Sequence, residues 1–168
     1  MQSGDARVRE TVSKFLGDVK PAAPSHVNQL ALLTLGELGQ TVDLSEHKGI
    51  DQVIFSAMDS KDDSVTAAAA YALGNVSVGG MGKLFPVLVE LIKSKPKYQY
   101  HLFLSVKEAL VTVTRDTTQS KAFAAYVDSL TPSLSAAAEA KDEGVRSAVA
   151  QCLGLLTIVD PDKVCPFA

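Results

Sequence analysis

The chain has 168 residues, 46% hydrophobic and 21% charged, and its 16 basic and 19 acidic side chains give a formal net charge of −3. That balance excludes the basic footprint of a nucleic-acid-binding domain, and no apolar run reaches the roughly 18 residues that a membrane span requires. The size suits one compact domain or a short row of stacked units.

From its start the chain reads as helix. The first residues, Met1 to Arg7, lead into a charged helical pattern and lack the apolar core of a signal peptide. Arg7 to Lys20 carries Val8, Val12, Phe15, Leu16 and Val19 at helical spacing. Pro21 to Ser25 breaks that helix, with Ser25 as the expected N-cap of the next. Val27, Ala31, Leu35, Leu38 and Val42 then form a stripe. Leu30 and Leu33 widen it, which predicts a helix buried on most sides. Asp51 to Met58 reads as a short partner helix with Val53, Ile54 and Ala57 inward.

Asp62-Asp63-Ser64 supplies an N-cap and negative charge where a helix dipole is positive. Ala67 to Ala70 and Ala72 follow, helix-forming residues without bulk, so a neighbouring helix can come close. Gly79-Gly80 ends this helix. Its partner presents Leu84, Val87, Leu88, Leu91 and Ile92 on one side and Lys83, Glu90 and Lys93 elsewhere, and stops at Pro96. A further helix begins near Tyr98, with a stripe of Leu102, Val106, Ala109 and Val113 flanked by Phe103 and Leu110. Arg115 to Gln119 reads as a polar loop. The next pattern, Phe123, Tyr126, Val127, Leu130 and Leu134, contains Pro132, which predicts a kink near Asp128 or a helix beginning anew at Pro132. Glu143 to Val159 forms the last full helix, with Val145, Ala148, Val149, Cys152, Leu153 and Leu156 inward. Asp160-Pro161 ends it and a new helix starts around Asp162, where Val164 and Phe167 would lack their usual cover.

These elements repeat. Lys61 to Gly74 aligns without a gap on Lys141 to Gly154, eighty residues on, and Ala31 to Gly36 is a further copy of the same core. The spacing matches one or two units of about 40 residues, the period of paired-helix HEAT or armadillo repeats. The expected fold class is therefore all-α, an α-solenoid of antiparallel helix pairs, divided as 1–20 (the second helix of a preceding repeat), 21–60, 61–97, 98–141 and 142–168 (an incomplete repeat). A unit of this kind cannot bury its apolar face alone. Both ends thus read as cut from a longer solenoid, or as the frayed ends of a short one.

The chemistry-bearing residues point away from catalysis. His26, His47 and His101 have no His, Asp, Glu or Cys partners at ligand spacing, so no metal site is expected. Asp62-Asp63 and Asp142-Glu143 could pair as acid and base, but they recur with the repeat at helix starts, which is what capping requires. Gly79-Gly80-Met81-Gly82 lacks the Gly-Lys-Ser/Thr of a phosphate loop. Ser13, Ser105 and Cys165 have no base-and-acid arrangement nearby. Lys93, Lys95 and Lys97 read as a solvated helix end, or as a contact for an acidic partner. No cofactor, small-molecule substrate, nucleic acid or membrane is implied. Cys152 on an apolar face and Cys165 suit a reduced, intracellular setting, with a cytoplasmic and nuclear location expected.

Asp142, Val145, Arg146, Ala148 and Leu153-Gly154 form a pattern that resembles the general HEAT signature. More specific strings occur in order: Phe15 to Lys20, Ala31 to Gly39 with Val42 to Ser45, Ala68 to Gly74 with Val78-Gly79, Lys95 to Tyr100 with Ser105 to Glu108, and Leu156 to Pro161. Together they resemble the C-terminal half of the cullin-associated, neddylation-dissociated proteins. The chain departs from the family pattern at Tyr98, His101 and Pro132. The resemblance implies a non-catalytic HEAT scaffold that wraps unneddylated cullin–RING ubiquitin ligases and promotes exchange of their substrate-receptor modules. This stretch would lie by the cullin's N-terminal region. The expected contact surface is a concave face built from the second helices of successive units, with Gln52, Lys83, Glu90, Lys93 and Asp128 as contact residues. A HEAT scaffold of another class, a nuclear transport receptor or a phosphatase scaffold, is the alternative.

Overall fold

The computed structural model describes residues 2–20 and 22–164, with side chains for 7–20 and 22–162. Its α-helices are α1 (Gln2–Asp18), α2 (Ser25–Gly39), α3 (Ile50–Ser56), α4 (Asp63–Gly79), α5 (Leu84–Ser94), α6 (Gln99–Val113), α7 (Thr117–Phe123), α8 (Val127–Ala138), α9 (Glu143–Val159) and α10 (Pro161–Val164). Single 3-10 turns follow α3 (Ala57–Asp59), precede α6 (Pro96–Tyr98) and join α7 to α8 (Ala124–Tyr126). No strand occurs among the described residues, and the chain adopts the expected all-α solenoid.

Two layers make up the array. In one, α2, α4, α6 and α9 pack directly on each other in sequence; α3, α5 and α8 lean on this row from the other side. Between them runs the core, where Leu32, Leu35, Ile54, Phe85, Leu88, Phe103, Leu110, Phe123, Leu130, Cys152 and Leu156 are fully buried.

The first layer is tight because its residues are small. A methyl group on Gly39 would lie 2.6 Å from Val76 Cα, one on Gly36 would lie 3.2 Å from Ala72 Cα, and one on Gly74 would strike the Ser105 carbonyl of α6. Side chains at a helix contact set the interaxial distance, so these glycines let α2, α4 and α6 approach closely. Rings fill the second layer instead. Phe85 of α5 meets Phe123 edge-on at 4.7 Å and Tyr126 at 5.3 Å, and Phe55 of α3 meets Tyr98 at 5.0 Å.

Aspartates start three of the helices. Asp62 accepts from Ser64 N (2.9 Å), Asp116 from Thr118 N (2.7 Å) and Asp142 from Val145 N (3.0 Å). The Asp116 cap shortens the expected polar loop 115–119, because α7 begins at Thr117. Ser25 does not cap α2: Pro24 holds that position, and Asn28 ties the turn instead. The Asn28 side chain accepts from Lys20 N (2.9 Å) and donates to the carbonyls of Lys20 (2.9 Å) and Ala23 (3.4 Å).

Other expectations need correction. Leu30 and Leu33 are 63% and 38% exposed, since α2 buries the face carrying Ala31, Leu32, Leu35 and Gly39 and leaves the opposite one open. In α3 the fully buried residues are Ile50 and Ile54, followed by Met58, while Val53 and Ala57, expected inward, pack half-buried against the core. In α5, Phe85 and Val89 are buried where Val87 and Leu91 were expected. Leu153 of α9 packs against the core as expected, though only half-buried. Pro132 lies inside α8, and no helix begins there. The interruption falls at Ala124–Tyr126, just before Asp128, so that the residue one turn back from Pro132, the exposed Asp128, is in the first turn of α8. Cys165, Phe167 and the side chain of Val164 lie outside the described residues.

Candidate protein-binding surface

The five residues expected to carry contacts are exposed on the second layer. Gln52 stands on α3, Lys83 at the entry to α5, Glu90 and Lys93 on α5, and Asp128 in the first turn of α8. Lys83 is engaged within the array, its Nζ 2.6 Å from Glu46. A parallel tie joins the turns at 59 and 97: Lys97 Nζ lies 3.0 Å from Asp59 and 4.7 Å from the centre of the Tyr98 ring, while Tyr98 donates to the same carboxylate. These two hydrogen bonds hold the Asp59 carboxyl below the usual range. Tyr98 thus fastens one turn of the array to the next.

The outward face of the first layer is different in chemistry. Leu30, Leu33 and Glu37 lie on one side of α2 at helical spacing, all exposed. Tyr71 of α4 lies across the slot above Gly36, where a methyl group would sit 2.7 Å from two of its ring carbons. From there its hydroxyl donates to Glu37 Oε1. Gln40 Nε2 donates to the Tyr71 hydroxyl (2.8 Å) and to Glu37 Oε2 (3.4 Å), and Gln119 Nε2 donates to the Gln40 carbonyl (3.2 Å). Burial first, then the Glu37 carboxylate, pushes the Tyr71 phenol up to about 12.

Further along the same layer, Lys107 and Glu108 of α6 pair at 2.7 Å. A groove of about 350 Å³ opens between α6 and α9 against Lys107, Val111, Gln151, Gly154 and Leu155. Ile158 of α9 and Tyr100 of α6 are also exposed. None of the five residues named from the sequence lies on this face; its marks in the sequence are Leu30 and Leu33, two leucines off the main stripe, and Tyr71, one bulky side chain in a run of alanines.

A second groove, about 400 Å³, lies at the edge of the array between the turn 19–25 and the turn 56–62. Its carboxylates are committed, Asp59 to Lys97 and Tyr98, and Asp62 to Ser64 at the start of α4. Among the described residues no group of His, Cys, Asp and Glu could hold a metal ion, and no helix is long and apolar enough to cross a membrane. Burial pushes the His101 imidazole down and the Cys152 thiol up to about 12. Cys152 Sγ lies 3.4 Å from the Phe103 carbonyl.

No family model matches this sequence. Curated relatives do. The chain is 33% identical over 168 residues, 99% of its length, to Cullin-associated NEDD8-dissociated protein 1 of Arabidopsis thaliana. It is 36% identical over 135 residues, 80% of its length, to the protein of the same name from Drosophila melanogaster. Over 97% of its length it is 29% identical to Cullin-associated NEDD8-dissociated protein 1, C-terminal part, of Emericella nidulans. The chain spans 14%, 11% and 15% of these relatives, respectively. It resembles a segment of the cullin-associated NEDD8-dissociated proteins.

Proposed function

We propose that this chain, a helical-repeat segment like those of the cullin-associated NEDD8-dissociated proteins, is a non-catalytic scaffold that binds unneddylated cullin and takes part in exchanging substrate receptors on cullin–RING ligases. One observation carries the reading: 33% identity sustained over 99% of the chain to a relative named for cullin association. The fold supports it, because an array with a regular, extended flank offers a large surface for a macromolecule. The cullin's N-terminal region is the proposed partner, and the mechanism is steric: the scaffold and the adaptor compete for overlapping surface.

We place the contact face on α2, α4, α6 and α9 rather than on the layer carrying Gln52, Lys83, Glu90, Lys93 and Asp128. The packed row α2, α4, α6 and α9 sets the exposed residues of successive helices side by side along one face. Exposed Leu30, Leu33, Tyr100 and Ile158 give that face apolar contacts, and the half-buried Tyr71 adds an aromatic ring of the kind enriched in interfaces. Size-exclusion chromatography of the chain with purified cullin–RING complex tests the function. Co-elution with the unneddylated complex and its loss on neddylation are expected; absence of co-elution with either form contradicts the reading.

A further inference from the structure

We propose that Glu37 and Tyr71 form an anchoring point for a basic side chain, arginine or lysine, of the protein partner. The inference rests on the scaffold reading above and adds the chemistry of one contact. Glu37 is exposed, and neutral donors fix its carboxylate: the Tyr71 hydroxyl on one oxygen and Gln40 Nε2 on the other. Among the described residues no cation pairs with it. The next carboxylate on this face, Glu108, already has Lys107 at 2.7 Å. Glu37 is thus a held but uncompensated negative charge.

Its surroundings suit a long cationic side chain. Leu33 stands one turn before Glu37 and Leu30 a further turn back, 38% and 63% exposed, so the aliphatic stem of an arginine or lysine has an apolar track leading to the carboxylate. The carboxylate keeps lone pairs for a guanidinium or ammonium donor, since among the described residues it accepts two neutral hydrogen bonds. The position is built rather than incidental. Gly36 leaves the slot in which the Tyr71 ring lies, and Gln119 of α7 holds the Gln40 carbonyl. A basic side chain docked here completes the charge balance and sets the partner's register along the array.

Two measurements on the whole chain decide the matter. In the first, butylguanidinium is titrated while the Tyr71 ring and Glu37 carboxyl resonances are followed. A saturable shift that disappears in Glu37→Gln is expected, and no shift, or an equal one in the variant, overturns the inference. In the second, binding to unneddylated cullin–RING complex is compared for the native chain, Glu37→Lys and Glu90→Lys. Glu37→Lys is expected to weaken binding about tenfold or more, as loss of a charge pair at an interface does, with Glu90→Lys unchanged. Equal binding by Glu37→Lys overturns the inference while leaving the cullin reading standing. If the native chain does not bind at all, the cullin reading falls and the titration alone decides the anchoring point.

Discussion

A glycine in this array matters according to what faces it. Gly74 and Gly154 end the same Leu-Gly motif eighty residues apart. A methyl on Gly74 meets the Ser105 backbone of α6, whereas one on Gly154 has open space within 4 Å. Gly74→Ala is therefore expected to destabilise by about 1–3 kcal/mol through overpacking. Gly154→Ala should stabilise by about 0.5–1 kcal/mol, because alanine loses less backbone entropy in a helix. Urea unfolding of both variants checks the pair, and equal effects would refute the packing argument. The motif was legible in the sequence, but its neighbour was not, since the residue that fills a glycine slot comes from another helix. Tyr71 shows the same limit. Its phenol titrates above its ordinary value, near 12, so the stability it contributes is complete below pH 10 and disappears as pH rises toward about 12. Spectroscopic titration should show that Tyr71→Phe removes the most alkaline tyrosinate step. Retention of that step would place the raised phenol elsewhere.

Helices whose ends carry their own chemistry were the easiest to read. The acidic cluster before α9 placed its start at Glu143 and Asp160-Pro161 placed its end at Val159, both as found. Asp142→Ala is expected to cost about 1 kcal/mol, the usual loss of an N-cap. Chemical denaturation measures it, with Asp142→Asn retaining most of the stability; an alanine variant as stable as the native chain would show that the cap is not needed. The stretch 115–138 was harder, because two signals compete there. Asp116 starts a helix inside a run that reads as polar loop, and Pro132 draws attention to itself although the chain breaks earlier, at Ala124–Tyr126. Periodicity also misassigned α5. There Phe85 turns inward onto Phe123 and Tyr126, and these partners lie about forty residues away.

Across the whole molecule, repeat period and composition indicated the class of fold, while the contrast between the two layers came only from packing between distant residues. Glycines let α2, α4 and α6 approach closely, while rings join α3 to the turn before α6 and α5 to α7 and the turn after it. Exposed charges on the second layer attract notice in a sequence because Lys83, Glu90 and Lys93 stand out from an apolar helix. The first layer's surface is a mixture of leucine, tyrosine and a braced carboxylate that no periodic pattern announces. The proposed scaffold role requires a cullin to be held on the close-packed layer. Hydroxyl-radical footprinting of the chain bound to unneddylated cullin–RING complex tests it most directly. Protection of Leu30, Leu33, Tyr100 and Ile158, with Val87, Leu91 and Tyr126 unchanged, is the predicted result; protection confined to Val87, Leu91 and Tyr126 would contradict it.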